Sequence, residues 1–89
     1  MEQQIIVEMI KRYCSPCGRV CPLSSYGLKA YFEQLMGDYI SNDDFKEAMI
    51  MAGFTPCKRY FKNHYYKVKI DISEIDRLLN KMSNERVNV

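Results

Sequence analysis

The stretch SSYGLKAYFEQLMGDYISNDDFKEAMIMAGF (24–54) and its continuation TPCKRYFKNHYYKVKI (55–70) decide how this chain of 89 residues is read. Ser24 or Ser25 offers an N-cap, and Leu28, Tyr31 or Phe32, and Leu35 recur at helical spacing. Gly37 stops that helix. Gly27 lies inside it, and a glycine there predicts close approach of another helix. A few residues later Ser41 or Asn42 caps a second helix. Asp43 and Asp44 sit in its first turn, where they complement the positive end of the dipole. Phe45, Ala48, Met49 and Ala52 form its inward stripe, and Gly53 supplies a left-handed stop. After Pro56 the residues alternate: Tyr66, Val68 and Ile70 on one face, Tyr65, Lys67 and Lys69 on the other. That is the signature of a β-hairpin, with Lys62-Asn63 as its turn.

Outward from this centre, residues 2–13 read as a first helix, since Ile6, Met9, Ile10 and Tyr13 share a face. Pro16, Gly18 and Pro22 break the chain into an ordered loop over 14–23. A last helix begins at Ser73, with Ile72 as staple and Ile75, Leu78, Leu79 and Met82 inward. The element order predicts a mainly α (α+β) domain, with three helices, a two-stranded β-hairpin and a C-terminal helix. That is the order of a winged helix-turn-helix module. The expected core is Ile6, Ile10, Leu28, Phe32, Leu35, Phe45, Met49, Phe54, Val68, Ile70, Leu78 and Leu79. Residues 1–83 form the single domain and 84–89 a fraying tail.

An apolar content of 47 % suits a globular core. No apolar run approaches the roughly 20 residues of a membrane span. The N-terminus has neither the charge order nor the small-residue cleavage site of a signal peptide, so a cytoplasmic protein with no membrane partner is expected. The net charge of +2 conceals a dipolar pattern. Lys58, Arg59, Lys62, Lys67 and Lys69 fall in one stretch without an acid. Glu33, Asp38, Asp43, Asp44 and Glu47 stand against a single Lys46 in another.

Four cysteines leave several chemistries open. Cys14-Ser-Pro-Cys17-Gly18 has the form of a zinc knuckle, and Cys21 and Cys57 would complete a tetrahedral site, with His64 as a substitute. Buried structural thiols, a redox pair and disulfides are the alternatives. No metal and no cofactor is assigned. His64 is the one histidine, and beyond a conceivable pairing with Cys57 nothing supplies a nucleophile, base and orienting group together. The adjacent Asp43 and Asp44 are explained by the helix start, and the chain has no phosphate-binding glycine loop. A non-enzymatic binding protein without a small-molecule substrate is expected.

For nucleic acid, Asn42 and Lys46 on the second helix of the motif could reach base edges. Lys58, Arg59, Lys62, Lys67 and Lys69 would hold phosphates, with Tyr60, Phe61 and Tyr65 as stacking surfaces. The acidic residues beside Asn42 oppose such docking. They favour the alternative of a protein partner contacted through Asp38, Asp43, Asp44 and Glu47, which would mimic phosphates and occupy the groove of a nucleic-acid-processing complex. A structural or assembly module is the third reading.

Ser25-Tyr26-Gly27-Leu28-Lys29, Tyr39-Ile40-Ser41-Asn42 and Ala52-Gly53-Phe54 together resemble a group of small phage and mobile-element proteins without an assigned activity. Ala30 replaces the histidine of that pattern, and the cysteine-rich loop lies outside it. The resemblance implies a mobile-element context: a small regulator, or an inhibitor of a host defence nuclease of the anti-CRISPR or anti-restriction kind.

Overall fold

A computed structural model describes residues 2–60 and 62–87, with side-chain surroundings for 2–59 and 62–82. The chain runs α1 (Gln3–Tyr13), β1 (Cys14–Pro16), α2 (Ser25–Met36), α3 (Asn42–Met51), β2 (Lys58–Tyr60), β3 (Asn63–Tyr65), β4 (Val68–Ile70) and α4 (Ile72–Val87).

Each helix boundary has a local cause. The Ser41 hydroxyl accepts from the Asp44 N–H at 3.0 Å, which satisfies one free donor at the start of α3. Gly37, at φ 67°, closes α2 on the Glu33 carbonyl. Gly53, at φ 97°, lets the Phe54 N–H return to Met49 O at 2.8 Å. At α4 the cap is Asp71, whose carboxylate accepts from the Glu74 N–H at 3.1 Å, so the helix starts before the expected Ser73. Ser24 precedes α2 without a side-chain capping bond, and Ser25 is buried. Gly27 is approached by the Leu23 side chain of the preceding loop, where a Cβ would stand 3.3 Å from Leu23 Cδ2, and not by a helix.

α1 packs on α3, and α2 lies against α3, α4 and β3. Phe32 and Phe45 stack at 5.8 Å between centroids, with Tyr13 tilted against Phe32 at 6.3 Å. Around them close Ile6, Ile10, Leu28, Met49, Val68, Ile70 and Ile75. Leu35, Phe54 and Leu79 are partly buried against this core, and Leu78 is half-buried. Val7, Met9, Ile40, Ala48 and Tyr66 complete it, with Cys14 and Cys21 at its margin.

The strands depart from expectation. The loop expected over 14–23 opens as a strand: Cys14, Ser15 and Pro16 pair antiparallel with Ile70, Lys69 and Val68. A second sheet joins β2 to β3, with Lys58 opposite Tyr65, Arg59 opposite His64 and Tyr60 opposite Asn63. The run 56–70 is divided between these two sheets. Two amides of the cysteine loop explain the division, while the Cys57 amide extends the β2–β3 sheet. Cys57 N–H donates to Tyr65 O at 2.8 Å, Cys21 N–H to Tyr66 O at 2.8 Å, and Cys17 N–H to Lys67 O at 3.1 Å. The cysteine loop thus occupies the backbone that would have continued one hairpin, and leaves β4 to pair with β1. The expected winged helix-turn-helix, with one two-stranded hairpin set against a helical bundle, is therefore replaced. The fold is a small α+β domain with four helices and two separate two-stranded antiparallel sheets among the described residues. At the C-terminus α4 continues to Val87, through most of the expected fraying segment 84–89; residues 88 and 89 lie outside the described residues.

Candidate nucleic-acid interface

The short sheet β2–β3 is held to the helices by one hydrogen-bonded network. The Ser25 hydroxyl donates to Asn42 Oδ1 at 3.0 Å and accepts from the His64 N–H at 3.1 Å. Asn42 Nδ2 donates to Lys62 O at 2.9 Å and Asn63 Oδ1 at 3.2 Å. Lys46 Nζ donates to the same Lys62 carbonyl at 2.8 Å and stands 3.3 Å from Asp43 Oδ1. Asn42 and Lys46, expected to face base edges, are both half-buried and spend their donors on the connection between β2 and β3. They position the sheet.

The cations so presented are Lys58 and Arg59 on β2, Lys62 in the turn before β3, Lys67 between the sheets, and Lys69 on β4. All five are exposed. Among the described residues the ion pairs are Lys29–Glu33, Lys46–Asp43 and Arg77–Glu74, and each joins two residues of one helix. None involves these five. The cationic stretch is therefore continuous in sequence but shared between two sheets in structure. Of the expected stacking residues, Phe61 lies outside the described residues, the side chain of Tyr60 is likewise not described, and Tyr65 is half-buried.

His64 is half-buried opposite Arg59, and its Nδ1 has no hydrogen-bond partner among the described residues. Burial pushes its pKa below the usual value, and the charges of Lys46 and Arg59 push it further the same way. Tyr66, wholly buried and edge-on to His64 at 6.4 Å, holds its hydroxyl without a partner among the described residues. Burial takes that phenol up to about 12, against a smaller opposing effect of Arg59.

Of the acidic residues, Asp43 stands beside Lys46 of this network. Asp38, Asp43, Asp44 and Glu47 are all exposed. Asp38 accepts from the Tyr39 N–H at 2.8 Å, and the carbonyl of Asp44 accepts from Gln3 Nε2 at 3.1 Å. Glu33 is different: it takes Lys29 Nζ at 2.9 Å on one carboxylate oxygen and the Ile40 N–H at 3.1 Å on the other. Burial raises its pKa, but the Lys29 ammonium and the Ile40 N–H outweigh burial and hold the carboxyl below the ordinary range. The Lys29 ammonium lies 4.7 Å from the Tyr26 ring centre and 5.3 Å from that of Tyr39. The sequence does not announce Ser25, Lys29 and Glu33 as members of these networks. The Lys29–Glu33 spacing of four on one helix is the one available signal.

The cysteines are free thiols: Cys14 and Cys21 buried, Cys17 half-buried, Cys57 exposed. Burial drives the Cys14 thiol up to about 12, with neighbouring Cys21 adding to the shift. The Cys17 and Cys57 thiols reach the carbonyls of Arg19 and Tyr65, at 3.2 and 3.4 Å. Among the described residues no three His, Cys, Asp or Glu side chains are grouped to hold a metal ion. The loop is tied to the strands by backbone hydrogen bonds. No described helix is long and apolar enough to cross a membrane.

No protein-family model, curated protein or solved structure matches the chain. With the winged topology replaced and no such match, the winged-helix, phage-protein and anti-CRISPR framing is set aside.

Proposed function

We propose that the protein is a non-enzymatic module that holds nucleic acid by its phosphates on the cationic surface of its strands. One observation supports this reading most. Lys58, Arg59, Lys62, Lys67 and Lys69 are exposed and take no part in the ion pairs of the described residues, with no acid between them in sequence. Cations left in water keep their counter-charge to be supplied from outside, and a polyphosphate backbone supplies it with release of condensed ions. The network through Ser25, Asn42 and Lys46 gives Lys62 a fixed base, which reduces the ordering cost of binding.

Base-edge recognition has no support, because Asn42 and Lys46 are engaged internally. The reading is therefore of sequence-tolerant binding. Its setting is the cytoplasm, where reduced thiols persist.

Titrating labelled duplex and single-stranded oligonucleotides of unrelated sequence, by fluorescence anisotropy at low salt, tests the proposal. Dissociation constants of about 10⁻⁴ to 10⁻⁶ M near physiological salt, similar across sequences, are expected. Absence of binding at about 50 mM salt would reject it.

A further inference from the structure

An open cleft of about 980 Å³ lies between the cysteine loop, β4 and the start of α4. Its walls include Val20, Leu23, Tyr31, Val68, Ile70 and Ile72, and the charged side chains lining it are Arg19 and Lys69. No acidic residue lines it, and neither cation belongs to an ion pair among the described residues. An apolar trough with a positive rim calls for an apolar ridge with a negative rim. The chain carries one itself. On α3, Asp43, Glu47, Ile50 and Met51 share one exposed face at helical spacing, with Ile50 58 % and Met51 51 % accessible; Asp43 lies 3.3 Å from Lys46 Nζ, and the Met51 sulfur accepts from Gln3 Nε2 at 3.7 Å. Ile50 beside Met51 leaves more apolar side chain in water than an ordinary surface helix does.

We infer that the cleft receives the exposed face of α3 from a second copy of this chain. Ile50 and Met51 enter the apolar trough, and Asp43 and Glu47 lie toward Arg19 and Lys69. The cleft and the helix face share no residue, so each copy can offer both at once. The contact is then heterologous, and copies add head to tail into an open chain or a ring, not a closed twofold dimer. The accessible side of a ten-residue helix, about 15 Å long, buries less than a standard interface of about 1,600 Å². Association is therefore weak and grows with concentration.

Sedimentation velocity on the full chain, freed of nucleic acid by nuclease and high salt, tests this independently of the phosphate-binding proposal. From about 10 μM to about 1 mM the weight-average mass should rise beyond that of a dimer or to a closed ring larger than two. Ile50→Lys, on the helix face, and Arg19→Glu, on the cleft, each alter exposed side chains and should each weaken association about tenfold or more. Their equimolar mixture retains one intact cleft and one intact helix face in each mixed pair. It should give a one-to-one dimer that grows no further. A wild-type monomer throughout the range, a dimer indifferent to both substitutions, or a mixture no more associated than its parts would each overturn the inference.

Discussion

Asn42 shows how a residue's chemistry can be read correctly and its use misjudged. Its place at a helix start, where base-reading side chains sit in helix-turn-helix modules, pointed to an interface. Instead it joins Ser25 to Lys62 and Asn63, a contact across 17 to 21 residues that no local pattern announces. Replacing it by alanine leaves the Ser25 hydroxyl without its acceptor, and should cost about 1–3 kcal/mol in chemical denaturation. Amide exchange over 62–65 should quicken with it. An unchanged midpoint would mean the network carries no weight.

Tyr66 predicts the reverse sign. Its hydroxyl is buried without a partner among the described residues. Tyr66→Phe should therefore be neutral or stabilising by up to about 2 kcal/mol. A clear loss of stability would reveal a bonding partner for the phenol.

His64 gives a pH signature. Its folded pKa lies below its usual 6.5, so the unfolded chain binds the proton more readily. Its contribution to stability is complete above about pH 6.5 and declines as pH falls through that value toward the lower folded pKa. Glu33, also depressed, loses its contribution only at lower pH, as its carboxylate is protonated. Melting temperatures should therefore fall between about pH 7 and pH 5, and His64→Gln should flatten that part of the profile. An identical slope in the variant would contradict the assignment.

At the scale of elements, the helices were legible because each carries its own start, stripe and stop. α3 has Ser41, the Phe45–Ala48–Met49 face and Gly53 close together, and the structure places Asn42–Met51 as helix. Phe45 is fully buried against Phe32. Truncation to alanine should cost about 3–5 kcal/mol, measured by denaturant unfolding, and a change below about 1 kcal/mol would be incompatible with that packing. The β1–β4 sheet was not legible. Strands of three residues give too short a period to read, Pro16 argues against a strand, and Cys14 pairs with Ile70, far along the chain. What divides the strands is a pair of backbone donors on Cys17 and Cys21, and backbone donors leave no compositional trace. The cysteine spacing drew attention to a metal, whereas their amides order the strands.

Over the whole molecule, the charge separation plain in the sequence is blurred by the fold, which sets Asp43 beside Lys46 at the β2–β3 connection and Asp71 near Lys69. Asp43, Asp44 and Glu47 are exposed on α3, and Lys58, Arg59, Lys62, Lys67 and Lys69 on or beside the strands. The sequence could not tell which cations are free: Lys46 and Lys29 look no different from Lys62 until their partners are seen. The most direct measurement is the salt dependence of oligonucleotide affinity for wild type and for Lys62→Ala/Lys67→Ala. The substitutions remove two exposed ammonium groups and leave the Lys62 carbonyl on Asn42 and Lys46. If the strand surface holds phosphates, the slope of log affinity against log salt on duplex DNA should shallow by about two units, equally for all sequences. An unchanged slope would contradict the proposed surface.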